Sequence, residues 1–215
     1  MFFLNLYFYF IVLSFIASLF AKSDRRHPYL KLFPPFLLLT LIVELIGSYL
    51  QFIGTNNNFL YSFFTVVEFC FYMFLISLII ASINAKKIIR VGSIAYALVS
   101  ICNILFFQGL LMFHTITYSL GCLVIVAVCI YYFFELFRAS KAIKLSADPA
   151  FWICSGLLFF YCCGFPLYAF INSLGKVEWI KANFNNIIVL LNIFLYSLFT
   201  IAFLCNRTPK HISLS

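Results

Sequence analysis

The amino-acid sequence predicts an all-α integral membrane protein, a bundle of seven transmembrane helices with its N-terminus outside and its C-terminus in the cytoplasm. Of the 215 residues, 65% are hydrophobic and 9% are charged, whereas a soluble domain has roughly 45–50% and 25%. The apolar residues occur in runs of about 20, the length that crosses roughly 30 Å of hydrocarbon. The basic residues concentrate in every second loop, as they do in multi-pass proteins. These observations exclude a soluble globular protein.

The apolar runs define seven spans, which together make a single membrane domain over residues 1–215. Each span is a stretch of roughly 20 residues that is almost free of charge. The spans, numbered one to seven, are residues 2–20, 34–53, 59–82, 88–107, 111–137, 149–171 and 185–205. The longest connections, such as residues 21–33 and 138–148, are too short to fold as a soluble domain.

The loop charges predict the orientation and the location. All but two of the 14 Lys and Arg residues fall on one side of the membrane: Lys22, Arg25, Arg26, Lys31, Lys86, Lys87, Arg90, Arg138, Lys141, Lys144, Arg207 and Lys210. Only Lys176 and Lys181 fall on the other side. Because cytoplasmic loops are enriched in Lys and Arg, we expect a multi-pass protein of the inner (plasma) membrane. The net charge of +8 is spread over short loops, so we expect the lipid bilayer and not nucleic acid as its partner.

Signatures of cofactor or catalytic chemistry are absent from the sequence. All 8 cysteines lie within or beside apolar spans, where they are typical of small packing residues. No Cys-x-x-Cys pair or His/Cys cluster has the spacing of a metal site, and span seven has no lysine that could hold retinal. We therefore expect no metal, no cofactor and a non-enzymatic role.

Two carboxylates lie deep inside predicted spans, Glu44 in span two and Glu68 in span three. Glu44 lies ten residues before Gly54 and Glu68 ten residues after Asn58, so both lie about 15 Å below the outer end of their helices. An ionisable group in hydrocarbon is costly unless it faces the bundle interior. If the two face each other, a shared proton, a bound cation or a ligand amine would relieve their repulsion. Alternatively, each Glu hydrogen-bonds a neighbouring helix as packing glue.

Polar side chains at helical spacing extend this candidate site onto other spans. Tyr61, Thr65, Glu68 and Tyr72 form one stripe on span three, at i, i+4, i+7 and i+11. Such stripes are expected to converge on the bundle axis, where they form either a binding cavity or a satisfied hydrogen-bonded core. Span one has few polar residues, and we expect it at the periphery. The predicted ligand or proton site comprises Glu44, Glu68, Tyr72, Asn103, His114, Tyr118, Tyr161, Asn192 and Tyr196.

Span six has a predicted start and a predicted kink. Asp148 is a candidate N-cap, and Pro149 suits the first helical position. Gly164 and Pro166 remove side-chain bulk and a backbone donor within one turn, which predicts a helix kink there. A movement of the helix about this kink could carry a signal across the membrane.

Several short motifs resemble an uncharacterised family of small seven-helix proteins from Bacteroidetes-type bacteria. They are Glu44, Asn57-Asn58 before Tyr61, the stretch from Glu68 to Tyr72, and Pro149-Ala150-Phe151-Trp152. The resemblance covers most of the chain. It implies an inner-membrane protein similar to the seven-helix sensory modules of histidine kinases, and it brings no catalytic residues. With no kinase domain after Cys205, output would require a separate cytoplasmic or membrane signalling partner.

These observations favour a non-enzymatic sensor or ligand-binding module. A small or lipophilic ligand would enter the outer half of the bundle and contact the polar stripes around Glu44 and Glu68. The alternatives are a small proton- or cation-coupled transporter, with the carboxylate pair as its coupling site, and a structural membrane subunit. A lipid-modifying enzyme with His114 as a base is a further alternative, but no nucleophile, metal set or phosphate cradle accompanies it.

Overall fold

The computed structural model describes residues 2–21, 27–109, 112–138, 145–169 and 178–205. Of these residues, 91% are helical and none lies in a strand, which confirms the all-α class. The helices are α1 (Phe2–Leu19), α2 (Phe33–Phe52), α3 (Asn58–Ile79), α4 (Ile83–Cys102), α5 (Thr115–Arg138), α6 (Pro149–Ala169) and α7 (Glu178–Cys205). A 3-10 turn (Pro28–Leu32) leads into α2, and a π-helical segment (Asn103–Gln108) continues α4.

The lengths and composition of the helices are those of a multi-pass membrane protein. In the described ranges, six helices, α2 to α7, are long and apolar enough to cross a membrane, and α1 contains a shorter apolar stretch, Leu6–Leu19. An amphipathic soluble bundle would instead show a polar face on most helices. The helical membrane bundle predicted by composition is therefore confirmed at this level.

Helix bounds differ from the predicted spans where polar residues extend a helix beyond the apolar run. α4 begins at Ile83, before the predicted start at residue 88, so Lys86 and Lys87 lie in its first turns. The Ser82 hydroxyl caps it by accepting a hydrogen bond from the Ala85 N–H at 3.4 Å. α7 likewise begins before residue 185, whereas α5 begins after residue 111. Hydropathy detects the segment suited to hydrocarbon, and a helix can continue past it into the interface.

Six helices form a ring, and α4 lies outside it. α7 packs extensively on α6 and on α1, α5 packs on α6 and α3, and α2 packs on α1 and α3, whereas α4 packs chiefly on α3. The expectation that span one lies at the periphery is wrong, because α1 sits between α2 and α7. Its few polar residues face inward, as the fully buried Ser14 shows. The small number of polar residues in α1 did not predict its place in the ring, because packing against neighbouring helices sets the rotation of each helix.

The two ends of the bundle differ in packing. We call the end with the α2–α3 and α4–α5 connections the cavity end, and the opposite end, where Lys31 and Arg138 lie, the basic end. Toward the basic end the ring is filled by an aromatic core of Phe33, Phe36, Phe71, Phe199 and Phe203. The Phe33 ring lies 5.0 Å from Phe203 and 5.3 Å from Phe199, and Phe36 stacks on Phe71 at 3.8 Å. Each such pair contributes about 0.5–1.5 kcal/mol beyond its area burial.

Candidate functional site

The cavity end contains a cavity of about 470 Å³ that is partly open to the outside of the bundle. Its described walls come from α1, α2, α3, α5, α6, α7 and the segment before α5, and no described residue of α4 contributes to them. Polar and aromatic side chains dominate the lining, which consists of Tyr7, Thr40, Glu44, Gln51, Asn57, Asn58, Tyr61, Phe64, Thr65, Glu68, Phe113, Thr115, Tyr118, Phe160, Tyr168, Phe184, Asn185, Ile188, Val189, Asn192 and Tyr196.

The structure brings together only part of the predicted site. The predicted residues that line the cavity are Glu44, Glu68, Tyr118, Asn192 and Tyr196. Four others, Tyr72, Asn103, His114 and Tyr161, are buried away from it. The two carboxyl groups lie on a shared cavity.

Glu44 is held by tyrosines from the two neighbouring helices. The Tyr7 hydroxyl of α1 donates to Oε1 of Glu44 at 3.0 Å, and the Tyr61 hydroxyl of α3 donates to Oε2 at 3.1 Å. Gly47, one turn after Glu44, makes this possible because a methyl group at its position would overlap the Tyr61 hydroxyl. Asn57 also donates to the Gly47 carbonyl at 3.2 Å. Glu44 is thus a positioned group whose two oxygens each accept a tyrosine hydrogen bond.

Glu68 differs from Glu44 in its surroundings. Both side chains are half-buried, but the Tyr72 hydroxyl that lies beside Glu68 makes no hydrogen bond of good geometry. Among the described residues, no donor is paired with the Glu68 carboxyl in the way that Tyr7 and Tyr61 are paired with Glu44. Glu68 therefore retains its capacity to accept hydrogen bonds from a molecule in the cavity.

Tyr72 and Tyr161 lie beneath the cavity and not on its surface. Both side chains are 0% exposed. Their rings pack on each other at 6.1 Å, and Tyr161 also packs on Phe69 at 5.0 Å. Helical spacing identifies the inward face of a helix but not the depth at which that face is filled by neighbouring rings. Both tyrosines therefore lie outside the cavity lining, and their part in a ligand site remains a prediction.

His114 does not line the cavity, and it belongs to a hydrogen-bond network that reaches the lining at Thr65. It is 0% exposed, with Nε2 2.6 Å from the Thr65 hydroxyl and Nδ1 2.7 Å from the Thr117 hydroxyl. Asn103 donates to Gln108 Oε1 at 2.6 Å and to Thr117 at 3.3 Å. We call these five residues the histidine network. Because both ring nitrogens have partners, His114 is a structural group of the core, as is Asn103.

Two residues that make hydrogen bonds between helices in the structure were not predicted from the sequence. Tyr7 belongs to span one, which was expected at the periphery, yet it lines the cavity and its hydroxyl donates a hydrogen bond to Glu44. Glu135, near the end of α5, accepts hydrogen bonds from the backbone N–H groups of Ala81 at 2.8 Å and Ser82 at 3.1 Å. A carboxylate at a helix N-terminus compensates the helix dipole there. Its position as an acid near the end of an apolar span was the available signal.

The start of α6 agrees with its predicted cap. The helix begins at Pro149, and Oδ1 of Asp148 accepts a hydrogen bond from the Ala150 N–H at 3.1 Å. The helix continues through Gly164 and Pro166 to Ala169. A kink at these two residues and its use in signalling remain predictions.

The electrostatic character of the cavity is acidic. The residues that the structure describes along its walls include Glu44 and Glu68 but no Lys, Arg or His. Among all the residues that the structure describes, no group of three or more His, Cys, Asp or Glu side chains is arranged to hold a metal ion. The lining therefore suits a molecule that is cationic or donates hydrogen bonds, and disfavours an anion.

Comparisons with known proteins found no relative: the chain matches no protein family, no curated protein and no solved structure. The resemblance to a Bacteroidetes-type seven-helix family is therefore neither supported nor contradicted. Fold and cavity together define the class of a multi-pass helical membrane protein with an acidic, aromatic-lined intramembrane cavity.

Proposed function

We propose that this protein is a non-enzymatic ligand-binding module, in which a small molecule enters the cavity from the cavity end and contacts Glu44 and Glu68. The observation that carries this proposal is a cavity of about 470 Å³ onto which two intramembrane carboxyl groups open. Small-molecule sites in proteins are typically about 300–1,000 Å³ and combine apolar walls with a few convergent polar groups. Ionisable groups inside membrane bundles are costly, and they commonly mark functional sites.

The packing below the cavity supports binding without passage. The aromatic core fills the ring toward the basic end, and Phe33, Phe199 and Phe203 are each 0% exposed. A transporter must also open toward the opposite side of the membrane, which would require this core to separate. A small proton- or cation-coupled transporter is therefore the second candidate, favoured only by the mid-depth position of the two carboxyl groups.

Reconstitution separates these two functions. Vesicles that contain the protein should bind a ligand yet show no net uptake of it and no proton movement coupled to it. Uptake that is lost in the Glu44→Gln, Glu68→Gln double variant would instead establish the transporter, with the pair as its coupling site.

The proposed location is the inner membrane, with the N-terminus outside and the cavity end facing outward. The concentration of Lys and Arg in alternate loops supports this orientation, because such residues favour the cytoplasmic side. A ligand would then arrive from outside, and a signalling partner would contact the basic end. Fusions at the C-terminus test the orientation: green fluorescent protein should fluoresce, and alkaline phosphatase should be inactive. An active phosphatase fusion would reverse the assignment.

A stability screen tests the ligand-binding function directly. A library that contains cationic, neutral and anionic small molecules is scored for compounds that raise the midpoint of thermal unfolding, because ligands that bind only the native state stabilise it. Asn192→Trp should remove the effect by filling the cavity. The Asn192 side chain lines the cavity, and among the described residues it bonds only to the Ile188 carbonyl of its own helix, at 2.9 Å, so this variant should fold.

Leu190→Trp is the matched control, since Leu190 lies on the same helix but is 55% exposed on the outer surface. Compounds should stabilise the wild type and Leu190→Trp equally. Stabilisation that persists in Asn192→Trp, or a library in which no compound stabilises the wild type, would refute a binding function for this cavity.

A further inference from the structure

We propose that the ligand is an organic cation whose charged nitrogen binds at Glu68 and whose apolar body lies on the aromatic rings of the cavity mouth. This inference rests on the proposed ligand-binding function and adds to it the chemical class of the ligand. Its three supports are the charge of the lining, the different hydrogen bonding of the two glutamates, and the arrangement of the rings.

The charge of the cavity favours a positive ligand. Two carboxyl groups share it, and the described lining offers no Lys, Arg or His to neutralise them. In a poorly solvated site, a carboxylate needs a cationic partner, because like charges repel and burial penalises an isolated charge. A ligand with one positive charge would provide that partner. Its attraction to the carboxylate would offset part of the free energy that the ligand loses when it leaves water.

Hydrogen bonding identifies Glu68 as the carboxyl that meets the cation. Both oxygens of Glu44 accept tyrosine hydroxyls, at 3.0 and 3.1 Å, whereas the Tyr72 hydroxyl that lies beside Glu68 makes no hydrogen bond of good geometry. Glu68 therefore has the greater remaining capacity to bind a ligand. Glu44 acts as a positioning residue, since it ties α1, α2 and α3 together along one wall of the cavity.

The aromatic rings form a continuous surface suited to the rest of the ligand. We call Phe113, Tyr118, Tyr168 and Phe184 the aromatic wall. Neighbouring ring centroids lie 4.3 Å apart for Tyr118 and Tyr168, 5.3 Å for Phe113 and Tyr118, and 5.5 Å for Tyr168 and Phe184. Such rings bury the apolar groups of a ligand, and a quaternary ammonium group at Glu68 that also came within about 6 Å of a ring centroid would be attracted by the negative face of the ring.

A bare metal ion is a poorer match than an organic cation. Hard metal ions require a compact shell of six or more oxygen ligands or a few fixed carboxylates, and the described residues contain no cluster of three or more acidic, His or Cys side chains. A cavity of about 470 Å³ also has room for a body of drug-like size. The aromatic wall would contribute nothing to a small hydrated ion that stayed on the carboxyl side.

Three isosteric probes test the charge requirement on the full chain. They are choline, its neutral carbon isostere 3,3-dimethyl-1-butanol, and the anion 3,3-dimethylbutanoate. Binding is followed by saturation-transfer NMR titration in phosphatidylglycerol nanodiscs, which contain no choline headgroup, and empty nanodiscs measure nonspecific binding. We expect choline to bind roughly tenfold or more tightly than the alcohol, and the anion not to bind.

Variants then assign the two parts of the site. Glu68→Gln should weaken choline binding by roughly tenfold or more and leave the alcohol unchanged, whereas Glu135→Gln at the basic end should change neither. Tyr168→Leu should weaken choline binding, and Tyr49→Leu, which alters a side chain 64% exposed on the outer surface, should not. The thermal unfolding midpoint of each variant checks that it folds.

The outcomes separate this inference from the function on which it rests. Equal binding of choline and the neutral isostere to the wild type would overturn the cation inference and leave a ligand-binding cavity. Unchanged choline binding in Glu68→Gln would overturn the role of that residue. Binding of none of the three probes would also overturn the inference, while the proposed function would fall only if the compound library stabilised nothing.

Discussion

Two polar clusters meet on α3, and they differ in whether their hydrogen bonds are complete. The histidine network includes Thr65, and its central residue, His114, is fully buried with a hydroxyl within reach of each ring nitrogen. The cavity includes Glu68, less than one turn further along α3, whose carboxyl faces open space. The comparison shows that a polar residue in an apolar span can be packing glue or a binding group. What decides between them is whether the fold supplies every partner.

This difference predicts opposite consequences for mutation. Removing one member of a satisfied buried network leaves its partners unsatisfied, at a cost of about 1–3 kcal/mol for each group. Removing a cavity residue whose partner would be a ligand leaves fewer unsatisfied hydrogen-bonding groups in the folded protein. Variants of the histidine network should therefore lose stability, and variants of Glu68 should lose binding.

The largest expected effect is that of His114→Leu. It leaves the hydroxyls of Thr65 and Thr117 without their ring partner, so we expect the free energy of unfolding to fall by about 2–4 kcal/mol. Reversible unfolding in lipid–detergent bicelles measures the change. Glu68→Gln in the same assay should cost less than about 1 kcal/mol. A His114→Leu protein of unchanged stability would remove the distinction between the two clusters.

Gly47→Ala is expected to have the next largest effect. Its new methyl group would overlap the Tyr61 hydroxyl, so Tyr61 would have to move away from Glu44, at a cost of about 1–3 kcal/mol. Gly92→Ala is the matched control, since a methyl group on Gly92 meets no atom within 4 Å and should stabilise α4 by about 0.5–1 kcal/mol. Equal unfolding midpoints for the two variants would contradict the close approach of Tyr61.

Tyr7→Phe tests whether a hydrogen bond inside the cavity, the one between Tyr7 and Glu44, contributes to stability. The variant removes the hydrogen bond to Oε1 of Glu44 and keeps the ring, so we expect a loss of about 0.5–1.5 kcal/mol in the free energy of unfolding. Tyr9→Phe alters a hydroxyl on a side chain that is 68% exposed and should change nothing. If both variants unfold alike, Tyr7 does not hold Glu44 in the folded protein.

The smallest expected effect is that of Glu135→Gln. The amide keeps one acceptor for the N–H groups of Ala81 and Ser82 but loses the negative charge at the start of α4, which is worth about 0.3–1 kcal/mol. Unfolding at low and high salt measures the charge contribution, since salt screens it. A loss that does not diminish at high salt would show that the hydrogen bonds, not the charge, matter at this helix end.

Composition and spacing predicted much of this molecule. The apolar runs were enough to predict the helical membrane class, because hydrocarbon leaves few ways to satisfy a backbone. The similar level of Glu44 and Glu68, which both line the cavity, followed from counting residues along two helices joined by a short loop. The cap at Asp148 followed from its position before Pro149.

The partners of these residues could not be predicted, because they depend on how each helix is rotated. Tyr7 reaches Glu44 only because α1 lies beside α2 with that face turned inward. Asn103 reaches Gln108 through a π-helical segment, whose register departs from the 3.6-residue period used to assign faces. Tyr72 shares a stripe with Glu68, yet it is covered by rings from other helices.

The aromatic core has a further consequence for an energised membrane. Water can follow a partly open cavity down to Glu68, but closely packed rings exclude it below that depth. A transmembrane voltage falls mainly across the part of the protein that excludes water, and moving one charge through 100 mV changes its energy by about 2.3 kcal/mol. A charge bound beside Glu68 would cross little of that field, so its occupancy would follow the concentration of the ligand in one compartment and hardly respond to the membrane potential.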